Sequence, residues 1–279
     1  MKSIKEWQKI LSSQSAIDLD ILIAHSIKRT KEFIITHPEH RLSTWETVKF
    51  LYLLYEYRQG YSVAVITKHK EFYGLDFFVN KHVLIPRPET ELMVEEALKE
   101  IENSKESNIL LIDVGTGSGC IPIAITKHTV KKIKKIAVDV SNHALNVARK
   151  NIQKHQVDIE LRKSNLLNKI NHQNFKPFDK IIITANLPYL TQKQVTEESS
   201  IRKEPKIALI AKENGLALYK QLLLQTAKII PNKQTTMFFE IDPDQTDSLT
   251  AIIKQTFPPS KIEIKKDLAG LDRILKISI

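Results

Sequence analysis

Apolar residues recur at helical spacing through the first 60 positions of the chain. Ser15-Ala16-Ile17-Asp18 has the form of a capping box, and Leu19, Leu22, Ile23 and Ile27 follow it on one helical face. Ser43-Thr44-Trp45-Glu46 repeats the signal ahead of the run Val48 to Tyr57, which Gly60 stops. A small helical bundle is expected over residues 1–60. Residues 61–87 shift to aromatic and β-branched side chains, and FYGLDFFVNKHVLI reads as a β-hairpin linker turning at Asn80-Lys81. Pro88 then sits in the first turn of an amphipathic helix, ETELMVEEALKEI, which opens a third segment running over 88–279.

From residue 108 short apolar strands alternate with amphipathic helices. The strands are NILLIDV, KIAVDV, IELRKS, FDKIIITAN and TTMFFEI; the helices are CIPIAITKH, NHALNVARKNIQKH and NGLALYKQLLLQTAKII. That alternation predicts an α/β fold of parallel βαβ units covered on both faces. The last stretch, KIEIKKDLAGLDRILKIS, holds two strands with little room between them, so an antiparallel pair is expected at a sheet edge.

Composition changes this picture little. A chain of 279 residues, 42% hydrophobic and 27% charged, suits one large globular domain plus a smaller one. No apolar run reaches the roughly 18–20 residues of a membrane span, and the charged start MKSIKEWQKI lacks a signal core. A cytoplasmic protein with no membrane association is expected. The single cysteine, Cys120, excludes an internal disulfide and a cysteine-based zinc site, and nine scattered histidines lack ligand spacing, so no metal is assigned. The net charge of +10 permits a polyanionic partner such as RNA or the ribosome. Its densest cluster, Lys131 to Lys135, falls between a helix and a strand, where a solvated turn is expected.

Candidate chemistry begins with Asp113-Val114-Gly115-Thr116-Gly117-Ser118-Gly119, which follows a strand and precedes a helix. Glycines there bring backbone close to a ligand at the carboxyl end of the first strand, although any tight strand-to-helix turn also uses them. The third glycine of the dinucleotide fingerprint is missing, Cys120-Ile121 standing where it would continue, and no Gly-Lys-Ser/Thr marks a P-loop. Asp139 lies about 20 residues further on, where an acid commonly binds ribose hydroxyls. It either does so or caps the helix beginning at Asn142. A loop without phosphate features, joined to a ribose-binding acid, suits S-adenosylmethionine, a nucleoside carrying an amino acid and no phosphate. The candidate cofactor-binding set is Asp113, Gly115, Thr116, Gly117, Ser118, Gly119, Asp139, Asn165, Leu166 and Asn186. Asn165, after the third strand, is placed to touch the adenine or is an ordinary loop residue.

Asn186-Leu187-Pro188-Tyr189 ends the fourth strand, which is expected beside the first. The four could be plain turn chemistry. They could also orient a planar NH2 group, with the Asn186 side-chain carbonyl and the Leu187 backbone carbonyl accepting its two hydrogens. Pro188 would stiffen the turn and Tyr189 would offer a stacking face. Arg87, between Pro86 and Pro88, either lines the mouth of the site or forms a salt-bridged turn. Glu89 and Glu91 read as first-turn acids favoured by the helix dipole, and Glu204-Pro205 and Glu240 as supports of the sheet end.

The succession VLIPRPETE, DVGTGSGCI, AVDVSNHALNVARKN, NLPY, EPKIAL, NGLALY and DLAGLDR, behind a helical domain, resembles the release-factor glutamine methyltransferases. The resemblance runs over essentially the whole chain. It implies a Rossmann-like class I methyltransferase sheet, mostly parallel, that methylates the glutamine of the Gly-Gly-Gln tripeptide in class I peptide-chain release factors. The helical domain over 1–60 would hold that partner, and a monomer is expected. Where that family has Asn-Pro-Pro-Tyr, this chain has Leu187; the backbone carbonyl survives, so restoring proline is expected to be tolerated. Val65-Ile66-Thr67-Lys68 departs from the family's Tyr-Ile-Thr-Gly. Asn-Leu-Pro-Tyr is similar to the ribosomal-RNA adenine dimethyltransferases, so an adenine methyltransferase on RNA or DNA is the main alternative, and a non-catalytic binding protein the other.

Overall fold

A computed structural model describes residues 1–198, 201–230 and 233–279. The chain divides into two compact units. One is Met1–His69 with a short piece ending at Lys203; the other is Lys70–Glu198 with Glu204–Ile279.

Among the described residues, five α-helices build the first unit: α1 (Ile4–Ile10), α2 (Ala16–Ile27), α3 (Lys31–Thr36), α4 (Thr44–Arg58) and α5 (Val63–Thr67). Ser43 and Glu46 close a full capping box on α4. At α2 only half of the box forms. The Ser15 hydroxyl accepts from the Asp18 N–H at 3.4 Å, while the Asp18 carboxylate accepts from the Tyr57 hydroxyl at 2.8 Å, tying α2 to α4. Leu19, Leu22, Ile23, Phe50, Leu53 and Ile66 meet in the core of this unit.

The stretch expected to be a hairpin linker differs in two respects. Val63–Thr67 is helical, because Ser62 caps it by accepting from the Val65 N–H and outweighs the strand preference of VAVIT. The hairpin is confined to β1 (Lys70–Phe72) and β2 (Leu75–Phe77) and turns at Tyr73-Gly74 instead of Asn80-Lys81. Both turn residues have positive φ, 51° and 68°, as a two-residue turn matched to strand twist requires. Asn80 folds its own side chain onto the His82 N–H instead, at 2.9 Å.

The second unit continues through a 3-10 turn at Pro88–Thr90 into α6 (Glu91–Glu102). Then follow β3 (Ile109–Val114), α7 (Cys120–His128), β4 (Lys134–Asp139), α8 (Asn142–His155), β5 (Glu160–Lys163) and β6 (Lys180–Ala185). The remainder is α9 (Gln192–Glu197), α10 (Ala217–Ile229), β7 (Gln234–Glu240), α11 (Thr246–Thr256), β8 (Lys261–Lys266) and β9 (Asp272–Ser278). The seven strands order as β5-β4-β3-β6-β7-β9-β8. The first five run parallel to one another, and β9 pairs antiparallel with both β7 and β8. This is the mostly parallel sheet with an antiparallel edge pair that the pattern predicts.

β3 and β6 are buried at every position, and alternate residues feed two separate cores. Leu110, Ile112, Ile181 and Ile183 face one layer, with Leu222 and Leu223 of α10; Ile109, Leu111 and Ile182 face the other, with Val94 and Ala97 of α6. No helix among the described residues is long and apolar enough to cross a membrane.

Candidate active site

The chain winds outward from β3 through β4 to β5, then returns to lay β6 on the other side of β3. Val114 pairs with Ala185 in that register, so Gly115 and Asn186 leave adjacent strand ends together. Ligands of open α/β sheets bind at such a reversal of strand order. Here a cavity of about 320 Å³ opens, within the size range of small-molecule sites.

Among the residues singled out from sequence, Gly115, Thr116, Gly117, Ser118, Asp139, Asn165, Leu166, Asn186, Leu187 and Pro188 line this cavity. Asp113, Gly119 and Tyr189 do not. Gly115 has φ 76°, and a Cβ there would stand 3.0 Å from the Leu187 side chain, so glycine lets the two strand ends close on one another.

Asp139 is almost fully buried. Its Oδ2 accepts from the Gly117 N–H at 2.9 Å and its Oδ1 from the Ser141 N–H at 2.8 Å. Burial raises its pKa, and the backbone donors offset part of the rise. The cap of α8 belongs to Ser141, whose hydroxyl accepts from the Ala144 N–H, which settles the capping alternative for Asp139. Asp113 lies beneath the loop. Its Oδ1 accepts from the Thr184 hydroxyl at 2.7 Å, and burial pushes its carboxyl up to about 6. The second carboxylate oxygen, Oδ2, and the buried Thr116 hydroxyl meet no partner at hydrogen-bond geometry among the described residues. Asn151 of α8, which the sequence reading passed over, clamps the loop by donating to the Ser118 and Phe78 carbonyls at 2.8 and 2.9 Å.

These features fit a nucleoside that carries an amino group and no phosphate. The loop contributes no lysine or arginine, and the Asp139 carboxylate at the cavity wall would repel phosphate while accepting from hydroxyls. Among the described residues no cluster of His, Cys, Asp and Glu could hold a metal ion.

The turn after β6 is held by side chains from distant segments. The Asn186 Nδ2 donates to the Thr90 hydroxyl at 3.1 Å, and the Leu187 N–H donates to the Tyr219 hydroxyl at 3.2 Å. Tyr219 in turn donates to the Glu240 backbone carbonyl. Restoring proline at 187 would therefore remove a used donor, a cost that the carbonyl-based expectation overlooks. Tyr189 donates its hydroxyl to Glu240 Oε1 at 3.3 Å, so its ring is committed to the sheet end and not to the cavity wall. Gly215 makes room for this: a Cβ there would stand 2.0 Å from the Tyr189 carbonyl oxygen. Glu240 is wholly buried, and burial pushes its carboxyl up to about 7.

Both readings of Arg87 hold at once. It lines the cavity and pairs with Glu204, whose other oxygen accepts from the Ile85 N–H at 3.1 Å. PRPETE and EPKIAL are thereby joined. Glu91 does more than face a helix dipole, since its carboxylate accepts from the Tyr73 N–H at 2.7 Å and fixes the hairpin turn.

The same organisation is found in known proteins. A family profile described as a methyltransferase domain matches residues 105–256. A release factor glutamine methyltransferase of Enterococcus faecalis is 35% identical over 216 residues, covering 77% of this chain and 74% of that protein. One from Clostridium botulinum is 32% identical over 264 residues, covering 93% and 90%. Among solved structures, a methyltransferase from Pyrococcus furiosus superposes with a TM-score of 0.51 at 16% identity, covering 81% of this chain and 96% of that one. That last likeness concerns the fold alone.

Proposed function

The chain belongs to the release factor glutamine methyltransferase family, and we propose that it methylates the side-chain amide nitrogen of the glutamine in the Gly-Gly-Gln motif of a class I release factor, with S-adenosylmethionine as donor. The observation that carries this reading is the register that brings Gly115 and Asn186 to one cavity. In it, the Gly115–Gly119 loop and Asp139 hold the donor, with Asp139 accepting from ribose hydroxyls. Thr116 lines the cavity beside them, and Asn165 and Leu166 border the base.

The donor supplies a methyl group on a sulfonium sulfur. An amide nitrogen is a weak nucleophile because its lone pair is delocalised, so the protein's task is alignment more than proton removal. Asn186 Oδ1 and the Leu187 carbonyl accept the two amide hydrogens and aim the nitrogen at the methyl carbon, near the 3–3.5 Å of a near-attack geometry. Bound there, the donor would give up its methyl group as the N–C bond forms and the C–S bond breaks, the electron pair leaving with sulfur. The nitrogen becomes acidic in that step and releases one proton, so no strong base is needed.

The helical unit is the recognition element for the release factor. On α4, Trp45, Val48, Tyr52 and Tyr55 follow one another along one helical face and are all more than half exposed. Exposed aromatics of that kind anchor protein–protein contacts.

Mass spectrometry of a release factor incubated with the protein and isotopically labelled donor tests the reading. One labelled methyl on the Gly-Gly-Gln glutamine is expected. Labelled adenine in ribosomal RNA fragments, with the glutamine untouched, would overturn it in favour of an adenine methyltransferase.

A further inference from the structure

Fixed charge is sparse on the cavity wall. Among the described residues that line it, Arg87 is the only lysine or arginine and Asp139 the only carboxylate. The donor named above is unevenly charged in its turn. Its sulfonium and the ammonium of its amino-acid tail are cations, and the α-carboxylate is its one anion. With Asp139 accepting from ribose hydroxyls, that carboxylate must be matched elsewhere.

Strand order fixes where the tail lies. β4, β3 and β6 are neighbours in that order, so Asp139, the Gly115–Gly119 loop and Asn186 follow one another along the strand ends. With the ribose at Asp139 and the reacting methyl group turned to Asn186, the amino-acid tail extends to the β6 side of the cavity. Arg87 is tied to that side. Its carbonyl accepts from the Thr90 N–H at 3.1 Å, and the Thr90 hydroxyl accepts from Asn186 Nδ2 at 3.1 Å.

We propose that Arg87 binds the α-carboxylate of the methyl donor, an inference that rests on the donor reading given above. A guanidinium carries five N–H donors in a rigid fork. Nη2 of Arg87 donates to Glu204 Oε1, whereas Nε and Nη1 make no hydrogen bond among the described residues. One third of the Arg87 side chain is exposed, against 3% for Glu204. The second Glu204 oxygen is held by the Ile85 N–H at 3.1 Å, so the carboxylate steadies the guanidinium from behind and does not turn to a ligand. The ion pair is neutral as a whole. It therefore offers N–H donors to a carboxylate without setting a long-range positive field against the sulfonium. Bonds from such a fork to a carboxylate are charge-assisted and short. The segment PRPETE thus supplies the cation for the donor's tail, and EPKIAL supplies the acid that steadies it.

Calorimetry on the full-length chain compares S-adenosylmethionine, its decarboxylated analogue, and methylthioadenosine, which lacks the amino-acid tail. The wild type is expected to bind the intact donor about tenfold more tightly than the decarboxylated analogue, as for one charge-assisted hydrogen bond. Arg87→Met is expected to lose that preference and bind the two equally. Arg87→Met combined with Glu204→Gln leaves no unpaired buried carboxylate, and the same equality is expected there. Methylthioadenosine is expected to bind wild type and variants alike within about twofold, whereas a merely structural role for Arg87 would weaken it in step. A preference for the intact donor that persists in both variants, or methylthioadenosine affinity that falls with the rest, would overturn the proposal. So would an unchanged donor preference joined to a raised KM for release factor, which would assign Arg87 to the acceptor. A wild type that binds none of the three ligands removes the donor reading itself. A wild type that binds them, with variants equally selective, removes only the role of Arg87.

Discussion

At the end of β3 the chain is shaped by its backbone: Gly115, Gly117 and Gly119 all have positive φ, and Asp139 ties the loop through a main-chain N–H. At the end of β6, one strand over, the turn is shaped by side chains. Thr90, Tyr219, Glu240 and Gln245 reach it from four separate segments, Gln245 donating to the Tyr189 carbonyl at 3.0 Å. A backbone-built site reads features common to every nucleoside of its class. A side-chain-built site can be tuned to one acceptor by changing single residues. On the proposed reading the two halves of the cavity divide the work, donor on one side and acceptor specificity on the other, and variants of each should separate cleanly.

The largest expected effect is on the acceptor side. Asn186→Ala is expected to lower the methylation rate by about 10²–10³, as for the loss of one positioned polar group at a reacting centre, read in a steady-state assay on release factor. On the donor side, Asp139→Ala is expected to weaken donor binding by about 10–150-fold by calorimetry, as for hydrogen bonds to a charged group, with most of kcat recovered at saturating donor. Outside both halves, Trp45→Ala combined with Tyr52→Ala should raise KM for intact release factor about tenfold and leave donor affinity unchanged. Equal turnover of intact factor by this variant would remove the recognition role of α4.

Each half also carries its own buried acid, and their titrations sharpen the contrast. The Glu240 carboxyl is raised by burial from 4.5 to about 7, so the fold holds its proton more tightly than the unfolded chain does. The stability this confers is complete below about pH 4.5 and is lost as pH rises through about 7. Asp113, raised from 3.8 to about 6, loses its share in a lower window ending near pH 6. Denaturant titrations across pH should show Glu240→Gln flattening the upper part of the slope and Asp113→Asn the lower part. The smallest effect belongs to Leu187→Pro, which loses the N–H bond to Tyr219: about 1 kcal/mol of stability in a chemical melt, with the rate within a few-fold of wild type.

What was legible in the sequence follows the same division. The strand order around β3 and β6 and the antiparallel edge pair could be read because buried strands and amphipathic helices alternate with distinct periods. The tight turn after β3 could be read because backbone with positive φ needs glycine, and glycine is visible. α5 was hidden, since VAVIT is composed of residues that favour strands and only the Ser62 cap makes it a helix. α11 follows the 3-10 turn at Pro243–Gln245 and went undescribed between two strand signals. Around Asn186 the partners Thr90 and Tyr219 stand 96 and 32 residues away, and no local pattern announces such a contact. Glu240 did leave a trace, an acid closing the apolar run Met237-Phe238-Phe239, but it read only as support for the sheet end. Tyr189 was misread because an aromatic in a turn suggests a stacking face, whereas the Glu240 carboxyl claims its hydroxyl.

The division of labour between the two strand ends is tested most directly by titrating Asn186→Ala with S-adenosylmethionine in a calorimeter. Asn186 lines the same cavity as the loop, yet among the described residues its side chain bonds Thr90 and not Asp139 or Gly115–Gly119. The donor Kd of this variant is predicted to stay within about threefold of wild type while its turnover falls by about 10²–10³. A donor affinity that falls by the same factor as the rate would contradict the account, because Asn186 would then belong to the donor site.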